Sequence, residues 1–279
     1  MTEPGRGGGA AAAIGRALFA AVLTVFFINL FAAIATVVLN SFARTWFGGW
    51  FPDGLVTRWY GYADSEFGMV DVLRFTVVVT LAVAALACLF GVPAAYVLAR
   101  ARFPGKRALL LLYLLPMLMP PFTYGIPLAS LLYRTQLAGT LPGVILINLV
   151  PALPFVILVM TPFIEQLDPN LESAGRMLGA APWALFRRIL LPLIVPGVLT
   201  AALLVVVRTM GMFELTFLVS GADSQTLVVA LYAAIFGAGI RPAQAVDAMA
   251  VVYMCTTLAM LVVALRFVSP TQMVFRVRG

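Results

Sequence analysis

Hydrophobic residues in this chain lie in long, nearly unbroken blocks, not at the alternate positions of half-buried strands. The blocks cover about residues 17–40, 72–99, 108–133, 141–164, 196–219 and 243–268. A bilayer-spanning helix needs about 20 apolar residues at a rise of 1.5 Å each, and every block is long enough. The pattern predicts an all-α membrane protein with six transmembrane helices. The first block exceeds the roughly 7–15 apolar residues of a secretory leader, so it reads as a retained span. Before it, residues 1–15 hold Gly5, Gly7, Gly8 and Gly9 ahead of an alanine run and read as a disordered tail. One membrane domain, residues 16–269, and a tail, 270–279, complete the organisation; no 20–50-residue repeat interrupts it.

The polar stretches fix the orientation. Residues 42–71 form a wet segment with Asp53, Asp64, Glu66 and Asp71, and with Trp46, Trp50, Trp59 and Tyr60 as interface aromatics. Of the 18 Lys and Arg residues, twelve fall in the N-terminal tail, the 100–107 loop, the 165–192 stretch and the C-terminal end. Four lie in the alternate segments: Arg44, Arg58, Arg134 and Arg241. Basic residues collect on cytoplasmic loops, so both termini are expected in the cytoplasm.

Composition narrows the chemistry. With 63% apolar and 10% charged residues and a mean hydropathy of +1.05, the chain is far from the soluble average of about 45–50% and 25%. The net charge of +7 is the signature of topology, and nucleic acid is not an expected partner. With no histidine, Ser-His-Asp catalysis, His-based zinc sites and His-ligated haem are excluded. Cys88 and Cys255 sit singly in apolar runs, where small-hydrophobe packing is the expected role, and no metal site is predicted. An intramembrane hydrolase would lack any histidine and any carboxylate pair on one helix face.

The segment 165–192 is a long polar interruption between spans four and five. Asp168 followed by Pro169 reads as a helix start. Leu171, Ala174, Leu178 and Ala181 then share a face, and Glu172 and Arg176 stand four apart on another, where they can pair. Gly179 ends that helix. Pro182 opens a second, with Trp183, Phe186, Ile189 and Leu190 on its apolar side, and Pro192, Pro196 and Gly197 reset the direction. The spacing describes two short helices on the cytoplasmic surface. They could rest on lipid or dock a cytoplasmic subunit.

The residue string resembles a known signature. Glu172, Ser173, Ala174, Gly175 and Arg176, then Gly179, then Ile189, Leu190, Leu191 and Pro192 are similar to the cytoplasmic motif of permease subunits of type I ATP-binding-cassette importers. That pattern runs Glu-Ala-Ala, three residues, Gly, nine residues, Ile-x-Leu-Pro. Ser173 stands where its glutamate usually is, and Gly175 replaces its second alanine. Ala95–Gly105 resembles the family's end of span two, Leu115–Pro121 its span three, and Thr226 and Leu227 its last loop, so the resemblance covers about residues 70–270.

The resemblance implies a multi-pass permease of the bacterial inner membrane in which segment 165–192 couples to a pair of cytoplasmic ATPase subunits. It also implies a second permease chain, giving a heterodimer, and an extracytoplasmic solute-binding protein. No cofactor is expected in this chain, which hydrolyses no ATP. Gly105 and Lys106 lack the upstream glycine and the following Ser or Thr of a phosphate loop, so ATP and magnesium would be bound by the partner.

Candidate residues along the substrate path come from polar groups inside spans, which are costly and functional by default. Arg208, Phe213 and Glu214 lie in the fifth block and Asp247 in the sixth. Arg208 and Glu214, six apart, are about 120° off a common face of a continuous helix. Tyr124, Asn148 and Phe155 lie in the third and fourth blocks, which prolines are expected to break. Packing roles, such as an interhelical polar tie, compete with each of these readings. The segments Thr57–Tyr60 and Phe217–Gly221 look more like permeases for polyamines and related small organic solutes than like sugar permeases. Carbohydrate is the alternative, since Arg208 opposes a cation. An ion-coupled transporter using Arg208, Glu214 and Asp247 as a relay is a further alternative.

Overall fold

The computed structural model describes residues 7–237, 239 and 241–267, with side chains over residues 12–266 of these. Most of the described residues are helical. Strand-like pairing among them is limited to one isolated bridge, Ala43 with Leu55.

Two units divide the chain, residues 1–65 with 239–251 and residues 66–238 with 252–279. In the first, α1 runs over Gly7–Phe42. Residues 7–15, expected in a disordered tail, therefore extend the first helix, while residues 1–6 and the tail 270–279 lie outside the described residues. From Leu18 to Phe31, α1 exposes apolar side chains all round, as a helix solvated by lipid does. The wet segment holds a helix that its apolar pattern does not mark, α2 (Arg58–Phe67). Trp59 Nε1 donates to Ala43 O at 2.7 Å, and the Ser41 and Tyr60 hydroxyls bond at 2.9 Å. These two aromatics hold the loop, whereas Trp50 is 94% exposed.

The second unit is built on α3 (Met69–Arg100), α4 (Lys106–Leu118), α5 (Pro121–Arg134) and α6 (Leu141–Glu165). The next elements are α7 (Asn170–Met177), α8 (Pro182–Leu185), a π turn (Phe186–Leu190) and α9 (Leu191–Met210). It closes with α10 (Glu214–Val219), α11 (Leu227–Phe236) and the later part of α12 (Ala243–Phe267). Val79, Val83, Ala87, Ile147, Val156, Met160, Ile164, Ile194, Ala201 and Val205 of α3, α6 and α9 form its core. At Gly91 a Cβ would lie 2.9 Å from the Val156 side chain, so glycine sets the approach of α3 to α6. Gly91→Leu is expected to overpack this contact by about 1–3 kcal/mol. A thermal melt of the solubilised chain checks this: a fall of several degrees is expected, and an unchanged midpoint would contradict it.

The third span is broken, as its prolines lead one to expect, and the fourth and fifth differ from expectation. The third is two helices, α4 and α5, bent by 95° at Met119 and Pro120. Consecutive prolines 120 and 121 remove two donors and bias the preceding residue to extended backbone. The fourth is unbroken: α6 runs through Pro151, Pro154 and Pro162 for 25 residues. The fifth begins earlier, since a continuous apolar helix runs from Pro182 to Met210, and it ends at Gly211 short of Glu214. The last loop holds α11, whose 10 residues are too few to cross a bilayer. Among the described residues, five helices are long and apolar enough to span, or six with the bent α4–α5 pair counted as one. Cys88 is half-buried, but Cys255 is exposed on its helix instead of packed inside.

Candidate functional site

The segment after α6 folds as a hairpin with local causes at each corner. Asp168 Oδ1 accepts the Asn170 N–H at 2.9 Å, the expected helix start. The end of α7 is closed by two backbone bonds, Gly179 N–H to Arg176 O at 3.0 Å and Ala180 N–H to Gly175 O at 3.1 Å. They require a left-handed residue between them, and Gly179 has φ +78°. A Cβ there would meet nothing within 4 Å, so conformation and not space demands the glycine. The second helix is not a separate piece. From Pro182 it passes through the π turn straight into α9, and Pro192 does not reset its direction. The wide π turn directly precedes Pro192, where a proline ring would crowd an ordinary α turn.

The centre of the hairpin is Glu172, which is 5% exposed. Its Oε1 accepts from Arg100 Nε at 2.9 Å and its Oε2 from the Tyr96 hydroxyl at 2.7 Å. Arg100 also donates through Nη2 to Leu167 O at 2.9 Å. The expected pairing with Arg176 is present but longer, 3.4 Å, with 67% of the Arg176 side chain exposed. Arg100 is the last residue of α3, so one buried carboxylate ties the hairpin to the end of that span. The sequence places Tyr96 and Arg100 in the family-like stretch Ala95–Gly105 but assigns them no role. Their spacing of four, on one helix face, was the available signal.

The faces of α7 are inverted relative to a self-contained surface helix. Leu171, Leu178 and the neighbouring Met177 are 45%, 88% and 82% exposed, and Trp183 is 68% exposed. Ala174 and Ala181 are exposed as well. The buried side carries Glu172 and Gly175, whose Cβ would sit 2.9 Å from Ile189 Cδ1 of the second arm. Met177 and Leu178 lie about 140° and 120° around the helix from Glu172. Ser173 is exposed and donates to Pro169 O at 3.4 Å. Leu190, not Leu191 or Pro192, enters the core.

Within the membrane part of the second unit, several candidate path residues converge. The Arg208 guanidinium sits 5.4 Å from the Phe155 ring centroid, and Arg208 and Glu214 both lie within electrostatic reach of the Tyr124 hydroxyl. Arg208 Nε is buried without a hydrogen-bond partner. The break at Gly211 separates Arg208 from Glu214, so the face angle expected for one continuous helix does not apply. Phe213 stacks on Phe217 at 5.1 Å and meets Tyr232 at 4.8 Å. Asn148 is 3% exposed and donates to Val144 O at 2.8 Å and to Thr216 Oγ1 at 3.0 Å, an interhelical tie between α6 and α10. Asp247 accepts from Asn40 at 2.5 Å within the first unit.

The family model described as "Binding-protein-dependent transport system inner membrane component" matches residues 88–271, which include the whole hairpin and α9. The chain belongs to this family. Its long apolar helices are in keeping with the inner-membrane component that the family description names. The sulfate transport system permease protein CysW of Synechocystis sp. is 35% identical over 54% of this chain and 59% of its own length. The trehalose transport system permease protein SugB of Mycobacterium tuberculosis is 39% identical over 43% and 44%. The match to these two thus spans about half their length. The spermidine/putrescine transport system permease protein PotC of Escherichia coli (strain K12) is 26% identical over 89% of this chain and 93% of its own. In fold, the chain is similar to a chain of a bacterial ABC transporter involved in the import of the acidic polysaccharide alginate. The TM-score is 0.77 at 18% identity, over 95% of this chain and 99% of that one.

Proposed function

We propose that this chain forms half of the translocation path of an ATP-driven solute importer and docks through hairpin 165–192 on a separate ATPase subunit. The supporting observation is the inverted hairpin: Leu171, Met177, Leu178 and Trp183 face outward while its central carboxylate, Glu172, is bonded to the end of α3. Large exposed apolar side chains gathered on one element mark an interaction surface. A partner moving against that face would act on α3 through Glu172 and Arg100, and on α9 through the unbroken second arm. That is the rigid coupling an alternating-access cycle needs. In this reading ATP and magnesium reside on a pair of ATPase subunits, and this chain hydrolyses nothing. A second permease chain completes the path as a heterodimer, and an extracytoplasmic binding protein delivers the solute. The membrane is the bacterial inner membrane, with both termini cytoplasmic. The test is reconstitution with the co-encoded ATPase, second permease and binding protein: uptake that depends on ATP and on all four components supports it, and ATP-independent uptake by this chain alone would overturn it.

A polyamine or similar small organic solute is the proposed cargo. The extent of the PotC match supports it, as does Glu214 following the stacked Phe213. Carbohydrate is the second reading, favoured by Arg208, which makes no ion pair among the described residues and would welcome hydroxyl or acidic groups. Thermal-shift screening of the cognate binding protein separates the two: stabilisation by polyamines supports the first, by sugars alone the second. With Tyr124, Phe155, Arg208 and Glu214 lining the path, Arg208→Ala should lower uptake about tenfold at unchanged expression, the weight of one charge-assisted contact. Equal losses of uptake and expression would assign Arg208 to packing.

A further inference from the structure

Between Pro169 and Pro192 the chain carries one carboxylate, Glu172, and three guanidinium groups, Arg176, Arg187 and Arg188. The carboxylate is turned inward and covered by Tyr96 and Arg100, so the hairpin offers a partner no negative charge from its centre. Ser173, at the motif position, adds only a hydroxyl. Arg187 and Arg188 are exposed and make no hydrogen bond or ion pair among the described residues. Asp168, the acid at the hairpin's entry, is engaged in capping α7, and Glu165 is 3.9 Å from Lys106. The outward surface is therefore an apolar patch, Met177, Leu178 and Trp183, accompanied by three arginines, while the exposed acids of the segment, Glu165 and Asp168, stand at its entry, one against Lys106 and the other capping α7.

We propose that the partner surface receiving this hairpin is an apolar cleft bordered by carboxylates, so that the permease supplies the cations of the contact and the ATPase the anions. This deepens the docking reading and rests on it. Charge complementarity sets the sign: an arginine-bordered surface facing a basic one would be repelled, and facing a neutral one would leave Arg187 and Arg188 desolvated without partners. An anionic bilayer would also suit an apolar, cationic helix, but the geometry disfavours it. The packed side of α7 is fastened to Arg100, the last residue of a span, so the opposite face of α7, with Met177 and Leu178, looks away from the span ends; for Arg187 and Arg188, on the arm that runs into α9, the comparison of neutral with anionic lipid decides.

The experiment measures the affinity of the cognate ATPase subunit for the permease in nanodiscs, at 0.1 and 0.5 M NaCl and with neutral or anionic lipid. These are concentrations where the screening length falls from about 10 Å to about 4 Å. The expected result for the native chain is a several-fold loss of affinity at high salt, independent of lipid charge. Arg187→Glu with Arg188→Glu should weaken binding by about a hundredfold at 0.1 M, on the order of tenfold per reversed charge, and should abolish or invert the salt dependence. Arg187→Lys with Arg188→Lys should keep both. Met177→Ser with Leu178→Ser should weaken binding with the salt dependence intact. Unchanged or tighter binding of the doubly reversed variant would overturn the acidic-cleft proposal while leaving docking in place. An effect seen only with anionic lipid would assign the face to the bilayer instead. Full affinity in the Met177→Ser, Leu178→Ser variant would overturn the apolar cleft and, with it, the docking reading.

Discussion

Glu172→Ala is expected to abolish ATP-driven uptake while the chain remains inserted and its spans stay packed. The substitution leaves Arg100 and Tyr96 without their acceptor at a position where the side-chain exposures are 18% for Arg100 and 7% for Glu172. Breaking a buried ion pair by removing one member costs about 3–5 kcal/mol. Arg100 keeps its bond to Leu167 O, so the lower end applies. A cost of about 3 kcal/mol is roughly two orders of magnitude in the population of the anchored hairpin. The spans need not suffer, because the core of α3, α6 and α9 does not include this residue. Glu172→Gln retains an oxygen for Tyr96 or Arg100 and should fall between. Uptake into vesicles measured beside basal ATP turnover reads the effect: lost uptake with persisting turnover is expected of a detached linkage. Wild-type uptake in the alanine variant would remove Glu172 from the coupling path.

Gly179→Trp is expected to release the ATPase subunit from the solubilised complex. The left-handed turn costs a side-chain-bearing residue about 1–2 kcal/mol. The indole would also project from the open tip next to Leu178, since no atom lies within 4 Å of the Cβ position. The comparison with Gly179→Ala separates the two causes, because alanine carries the strain without the bulk. Alanine should reduce co-purification modestly and tryptophan nearly completely, with membrane insertion the same for both. Co-purification and ATP turnover unchanged in the tryptophan variant would contradict a docking role for the tip.

The long apolar blocks made most spans legible, since lipid solvation demands only length and hydrophobicity. Proline was the poorer guide. Pro151, Pro154 and Pro162 sit within a continuous α6, whereas the adjacent prolines 120 and 121 divide the third span at a 95° bend. A lone proline loses one backbone bond that packing can offset, whereas two in succession leave no helical continuation. At the hairpin, the spacing of Leu171, Ala174 and Leu178 correctly identified a common face, but periodicity alone does not tell which way a face points. The partner of Glu172 lay at residues 96 and 100, far away in the chain, where only tertiary structure could reveal it. The Asn40 partner of Asp247, 207 residues away in the chain, was equally beyond the reach of local spacing.

The most direct measurement places a photoreactive benzophenone side chain at Leu178, in the full transporter in native membranes, and identifies what it captures on irradiation. The account predicts an adduct with the mass of permease plus ATPase subunit, lost when Glu172→Ala is added and absent when the probe is moved to Trp50. Capture of lipid alone at position 178, or equal capture of the ATPase from position 50, would contradict it.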